Sequence, residues 1–287
     1  MLKILECLDS AALAATRKRE LDITRERAAD LGRSALDAIE RGCYLTTAGA
    51  KVVWSSEIQA ACNAKVSHPP DERLPTPVKV MAAETRVQVS NETTLGAARR
   101  LVDAGMRPVA LNFANGIQPG GGFLHGSRAQ EEVLCRSSAL YVTLVGDPMY
   151  TAHRGRPRPD STDWAIYSPD VPVFRSDDGT ALERPWSLSF ITCAAPYAPR
   201  ISQPESGDLL AQRMVRVLEI AQAHGHTALV LGAWGCGAFG NDVHRTAADF
   251  RAALEGRCDG IFSDVVFAVT DWSTDRRYLG PFQDVFS

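Results

Sequence analysis

The chain has 287 residues, 45% of them hydrophobic, which suffices for one large domain, or a domain with an extension, around a proper core. Its 31 basic and 34 acidic residues give a formal net charge of −3 without long single-sign blocks, which excludes a general nucleic-acid-binding surface. Any anionic ligand has to be held locally.

The opening stretch MLKILECLDS carries Glu6 and Asp9 within its apolar run, and no apolar stretch approaches membrane-spanning length. Neither a signal peptide nor a membrane partner is expected, and the protein is expected in the cytoplasm. Seven cysteines, odd in number and without a C-x-x-C pair, argue against a disulfide framework and against a zinc cage.

Residues 10–41 have apolar positions at Leu21, Ala28, Leu31, Ala35 and Ile39 and a stop at Gly42, which predicts one long amphipathic helix or two. Residues 44–54 alternate as a strand, and SHPPDERLPTP, 67–77, is a proline-punctuated loop. The junction is placed there: 1–75 is a helical N-terminal extension packed on the main domain, 76–287. From Lys79 onward short strands at 87–89, 109–113, 165–167, 188–193, 229–231 and 265–269 alternate with helices at 94–104, 130–144, 209–223 and 243–254. That alternation predicts a largely parallel sheet between helix layers. HRGRPRPD, 153–160, reads as a mobile, solvated loop, with an anion contact as the alternative.

The strand at 109–113 runs into Asn115, a loop with Gly120, Gly121 and Gly122, and then a helix bearing Gln130, Glu131 and Glu132. Glycines let backbone N–H groups reach a ligand, and a following helix N-terminus favours negative charge. A plain tight turn is the simpler reading. Ser127-x-x-Gln130 fits a capping box, and the two glutamates could then merely complement the helix dipole on a solvated face. The alternative is a pair facing a cleft. Successive helical residues point ~100° apart, so the two would have distinct roles. Repulsion and burial would raise the pKa of at least one, as glycosidic chemistry needs.

A second strand at 229–231 repeats the plan, with Gly232, Gly235, Gly237 and Gly240 ahead of a helix. Gly235-Cys-Gly-Ala-Phe-Gly240 is formally G-x-G-x-x-G, but that fingerprint normally opens a sheet and too little chain follows for a dinucleotide fold. What remains is an anion cradle suited to a diphosphate, with Phe239 at its tip either against a ring or ribose or in the core. Cys236 reads as a small buried thiol rather than a nucleophile.

Taken together, Phe113-Ala-Asn115, the triple glycine, the seven-residue spacer, Gln130-Glu-Glu132 and Trp234-Gly-Cys-Gly-Ala-Phe-Gly240 resemble the bacterial-type poly(ADP-ribose) glycohydrolases, over about residues 79 to 275. The resemblance implies an α/β fold: a macrodomain-like three-layer α/β/α arrangement with a mixed central sheet, binding ADP-ribose at the strand ends. By this match Glu132 is the catalytic acid, Glu131 orients the distal ribose with Asn115, and Gly120, Gly121 and Gly122 line the scissile site with Gln130 beside them. Gly235, Cys236, Gly237, Ala238, Phe239 and Gly240 would hold the diphosphate and ribose. No metal or other cofactor is implied, and the partners would be ADP-ribose and poly(ADP-ribose) chains on modified proteins. The implied reaction cleaves ribose–ribose bonds, mainly from chain ends. A non-catalytic ADP-ribose reader, or a hydrolase of mono-ADP-ribosylated protein or nucleic acid, are the alternatives. As acid near neutrality Glu132 would need its pKa raised from about 4.3 toward roughly 6 to 7. Asn241 departs from vertebrate relatives of the motif, which tend to have glycine there. Phe267 and the strand at 87–89 through Asn91 are candidate supports for adenine.

Overall fold

The computed structural model describes residues 1–75 and 82–287. The strands are β1 (Leu2–Ile4), β2 (Cys43–Leu45), β3 (Lys51–Val53), β4 (Val66–His68), β5 (Thr85–Ser90), β6 (Pro108–Ala114), β7 (Ala165–Arg175), β8 (Ala181–Ala194), β9 (Ala228–Leu231) and β10 (Asp264–Ala268). The helices are α1 (Ala11–Leu21), α2 (Arg25–Glu40), α3 (Ser55–Ala64), α4 (Thr94–Asp103), α5 (Gln130–Ser137), α6 (Leu140–Leu144), α7 (Pro148–Arg154), α8 (Ala198–Ile201), α9 (Glu205–Ala223), α10 (Val243–Glu255) and α11 (Leu279–Val285).

Among the described residues the sheet order is β1-β5-β10-β9-β6-β8-β7-β4. Neighbours from β1 to β8 run parallel, while β7 is antiparallel to both β8 and β4. The sheet is therefore mixed. Continuous apolar runs such as PVALNFA in β6 are covered on both faces, as parallel strands require. Alternation within β6 serves both layers. Val109 and Leu111 join a core with Leu210, Met214 and Phe250, whereas Ala110 joins one with Leu95, Leu134 and Leu140. Because β6 and β9 are parallel neighbours, both glycine loops leave the same edge side by side.

Residues 1–75 are threaded into this architecture at both ends of the sheet, supplying β1 against β5 and β4 against β7. The expected boundary at 75/76 abuts residues 76–81, which lie outside the described residues, as does the change of texture read at Lys79. The helical stretch forms α1 and α2, each N-capped by a hydroxyl, Ser10 and Thr24. The apolar face of α2 packs on α5 and on the turn Phe123–His125. Gly32 permits that approach: a Cβ there would sit 2.4 Å from the Phe123 carbonyl oxygen. A mid-helix glycine costs about 1 kcal/mol relative to alanine, which this contact explains.

Three local expectations change. Residues 44–54 form a hairpin of β2 and β3 rather than one strand. The helix expected at 130–144 breaks at Ser138–Ala139, where Ser138 bridges to Val173 of β7. Residues 153–160 are pinned rather than loose. His153 and Arg154 end α7, Arg156 pairs with Asp160 at 2.6 Å, and Arg158 with Glu205 at 2.6 Å.

Candidate active site

The start of α5 is fixed by side-chain bonds to β6 and its neighbours rather than by a capping box. Its N-cap is Ala129, without a side-chain cap, and Gln130 is the first helical residue. Gln130 Oε1 accepts from Phe113 N at 2.9 Å, and its Nε2 donates to Leu111 O at 2.7 Å and Thr94 Oγ1 at 3.1 Å. The S-x-x-Q spacing is therefore coincidental: the glutamine locks the helix onto the end of β6.

The carboxylates that follow are buried, Glu131 at 3% and Glu132 at 7% exposure, which overturns the solvated-face reading. Glu131 Oε2 accepts from Asn115 N at 2.7 Å, and its Oε1 lies 3.5 Å from Asn112 Nδ2. Asn115 in turn caps its own loop, its Oδ1 accepting from Ile117 N and Gln118 N, both at 3.0 Å. Glu132 Oε1 accepts from Gly122 N at 3.0 Å, and its Oε2 has no partner. Both oxygens of Glu131 are thus engaged, while Glu132 keeps one free. Burial pushes the Glu131 carboxyl up to about 8. Near neutrality Glu131 keeps its proton.

Gly121 is wedged against the pair. Its φ is +56°, and a Cβ would stand 2.4 Å from Glu132 Oε1 and 3.0 Å from Glu131 Oε2. The loop is braced from behind by α7. Thr162 N donates to His153 Nε2 at 3.1 Å, so His153 carries its proton on Nδ1 and donates it to Gly116 O at 3.0 Å. Burial holds His153 down at about 4, which keeps this neutral tautomer. Arg154 donates to Ile117 O at 2.7 Å.

The second loop is held at its base and open at its tip. Asn241 is buried; its Nδ2 donates to Pro196 O at 2.9 Å and Gly235 O at 3.2 Å, and its Oδ1 accepts from Ser206 Oγ at 2.7 Å. The residue that departs from the motif therefore staples the loop closed. Gly237 and Ala238 are exposed, and Phe239 is half-buried with its ring edge-on to Tyr197 at 5.8 Å. Cys236 is buried against Thr246, and burial pushes its thiol up to about 12, which suits an inert core thiol.

Between the loops lies a cleft of about 660 Å³ that brings together Asn115, Gly121, Gly122, Gln130, Glu131 and Glu132 with Gly235, Gly237, Ala238 and Phe239. Gly120, Cys236 and Gly240 do not line it. Sequence reasoning missed Arg25 and Arg128, which do. Arg128 is tied to Asp22 at 3.0 Å. Neither arginine belongs to a glycine motif, and the only sequence signal was their basic character close to the elements concerned. A smaller apolar pocket of about 230 Å³ adjoins the cleft across Phe113 and Gln130, with Leu21, Val133, Trp272 and Tyr278 among its walls. The candidates first considered for adenine lie elsewhere. Phe267 is fully buried against Phe250, Phe282 and Phe286, and Asn91 is spent on Asp9 and the Asp271 backbone.

A mixed sheet between helix layers, with two glycine loops and a carboxylate pair meeting over one cleft at the strand ends, defines a macrodomain-like fold carrying acid–base groups. The profile of the microbial-type PARG catalytic domain matches residues 32–176. The crystal structure of poly(ADP-ribose) glycohydrolase from Thermomonospora curvata is 39% identical, with a TM-score of 0.86 over 91% of this chain and 99% of that one. The Deinococcus radiodurans enzyme in complex with ADP-ribose is 38% identical, with a TM-score of 0.71 over 79% of this chain and 96% of that one. No curated protein matches the chain. The chain belongs to the microbial-type poly(ADP-ribose) glycohydrolase family.

Proposed function

We propose that this poly(ADP-ribose) glycohydrolase acts through the free oxygen of Glu132 and releases ADP-ribose chiefly from chain ends. The observation that carries the reading is the division of labour in the carboxylate pair: Glu131 is held by Asn115 N and Asn112, while Glu132, which lines the cleft, is anchored through one oxygen to Gly122 N and keeps the other without a partner. In this reading Glu132 gives its proton to the departing ribose oxygen as the anomeric C–O bond breaks. The resulting carboxylate stabilises the oxocarbenium-like centre and takes a proton from the water that attacks it. Glu131, still protonated near neutrality, and Asn115 orient the distal ribose.

The exposed backbone at Gly237 and Ala238 suits the diphosphate, with Phe239 packed beside the ribose. The adjoining apolar pocket suits the adenine base. Leu21 and Arg25, contributed by the first 75 residues, stand at the walls of the pocket and the cleft. A wall there favours entry of a terminal unit over a continuing chain. The natural substrates are poly(ADP-ribose) chains on modified proteins, and hydrolysis takes place in the cytoplasm. No metal or other cofactor enters the reaction as drawn.

The test is incubation with polymer of defined length and with mono-ADP-ribosylated protein, followed by chromatographic identification of products. Free ADP-ribose with the last protein-linked unit left in place is the expected result. Abundant internal oligomers would overturn the end preference. Efficient removal of the protein-linked unit would favour a mono-ADP-ribosyl hydrolase, and tight binding without any hydrolysis would favour a reader.

A further inference from the structure

Arg136 is among the largest fully buried side chains, at 1% exposure, and its Nε, Nη1 and Nη2 all lack hydrogen-bond partners. It is also absent from the ion pairs formed among the described residues. An unpaired buried cation is among the costliest features a fold can carry, so its neighbours should explain it. Arg136 stands four residues after Glu132 on α5, and a helical side chain leans toward the N-terminus over the turn that precedes it. Its guanidinium is thus directed back along the face that bears Glu132. Asp177 and Glu132 are the anions that act on it, and Arg128 and Arg175 are the cations.

Asp177 sits on the connection between β7 and β8 with a matching defect: its Oδ2 accepts from Thr93 Oγ1 at 2.7 Å, while its Oδ1 is buried without a partner. The remaining charged groups facing Asp177 are Glu20 and Arg17 of α1, and Glu132 also faces Glu131. Opposite charges that each keep buried polar atoms without a partner, and that form no direct ion pair, are the setting for ordered water, which needs two to four polar partners.

We propose that Arg136 is a positioning residue for the hydrolysis: bridged by ordered water to Asp177 on one side and Glu132 on the other, it holds the Glu132 side chain with its free oxygen at the scissile bond. This rests on Glu132 being the acid, as proposed above. Asp177 is the counter-charge that limits the pull of Arg136 on Glu132. The arrangement explains why a guanidinium with no direct partner is retained one turn below the reacting group.

The test compares pH profiles of kcat for wild type, Arg136→Lys, Arg136→Met and Asp177→Asn, each checked by its melting curve and by ADP-ribose titration. Arg136→Met is expected to lower kcat about 10- to 100-fold with KM nearly unchanged, as misplacement of a reacting group does. It should move the alkaline limb of the profile up, because a cation beside the carboxylate pair has been removed. Asp177→Asn should move that limb down, because Arg136 then acts on Glu132 alone. Arg136→Lys, which keeps the charge, should restore most of kcat. Loss of kcat with an unmoved profile, or limbs displaced in the same direction by Arg136→Met and Asp177→Asn, would overturn the proposal. If Arg136→Met does not fold, Asp177→Asn decides, and an unmoved limb there sinks the idea. Glu132→Gln is run alongside: normal turnover in that variant would overturn the role of Glu132 itself, whatever Arg136 does.

Discussion

The two glycine loops issue from adjacent parallel strands and share a sequence plan, yet they are built to opposite specifications. Around Gly121 there is no room for one added methyl group; around Gly237 no atom lies within 4 Å of where a Cβ would be. The first loop is clamped from several sides: by Glu131 and Glu132 from α5, by His153 and Arg154 from α7, and by α2 through Gly32. The second is held at its base through Asn241 and at Phe239, whose carbonyl accepts from Ala198 N at 2.9 Å, and it leaves Gly237 and Ala238 exposed. Acid–base chemistry demands carboxylates placed to within a fraction of an ångström, and so a crowded loop. Holding a diphosphate demands vacant backbone donors, and so an open one.

If that contrast is right, damage to the crowded side should be felt in turnover and damage to the open side in affinity. Glu132→Gln should show the largest effect: it keeps size and polarity but cannot supply the proton, so kcat should fall about 10²- to 10⁴-fold. ADP-ribose affinity, read by calorimetric titration, should stay within about an order of magnitude. Near-normal turnover would end the assignment of Glu132.

Gly121→Ala comes next. The added carbon meets the Glu132 and Glu131 oxygens and the backbone sits at positive φ, so stability should drop by about 1 to 3 kcal/mol. Turnover should be lost per folded molecule. An active, normally melting Gly121→Ala protein would mean that the first loop is as permissive as the second.

Much of the crowded side was legible in the sequence, because GGG and QEE at this spacing are rigid requirements with few alternatives. Local pattern misled at Gln130, where a capping-box spacing was satisfied in letters while the side chain went to the backbone of Leu111 and Phe113. It misled again at 153–160, where arginines and prolines suggested a solvated loop but His153 turns inward to hold Gly116. Both bonds span distant stretches of chain, which spacing cannot report. The same holds for β1 and β4, three-residue strands whose existence depends on edges built by residues far along the chain. Their place in the sheet also means that deleting residues 1–75 removes both edge strands. Substitutions at Leu21 and Arg25 are therefore the cleaner probe of chain-end preference.

The pH dependence of stability separates the two carboxylates. Glu131 rises from an ordinary 4.5 to about 8, so between those values the folded state holds a proton that the unfolded state has released. Its contribution is complete below about 4.5 and is lost as pH climbs toward about 8. The melting temperature should fall over that window by about 3 °C or more, and Glu131→Gln should flatten the fall. An unchanged slope in Glu131→Gln would place the proton elsewhere. On the open side, Phe239→Ala should weaken ADP-ribose binding about ten-fold, ~1.4 kcal/mol, with little loss of melting temperature. A large stability loss with unchanged affinity would make Phe239 a core residue.

The smallest expected effect is the sharpest test of the comparison. Gly237 is exposed and has nothing within 4 Å of a Cβ position, and no positive φ forbids a side chain there. Alanine at such a site reduces the freedom of the unfolded chain, so Gly237→Ala should leave the melting temperature unchanged or raise it by the equivalent of about 0.4 to 1 kcal/mol. In the free protein the methyl group costs nothing, because it occupies solvent. Any penalty can arise only when a ligand approaches the backbone closely, so ADP-ribose affinity should fall a few-fold while the fold is no weaker. The two readouts moving apart would identify the vacancy as a binding surface, in direct contrast to Gly121→Ala, where stability and turnover fall together. Unchanged affinity in Gly237→Ala would mean that the diphosphate does not approach this part of the loop. Its cradle would then have to be sought nearer Gly235, where the backbone is held by Asn241.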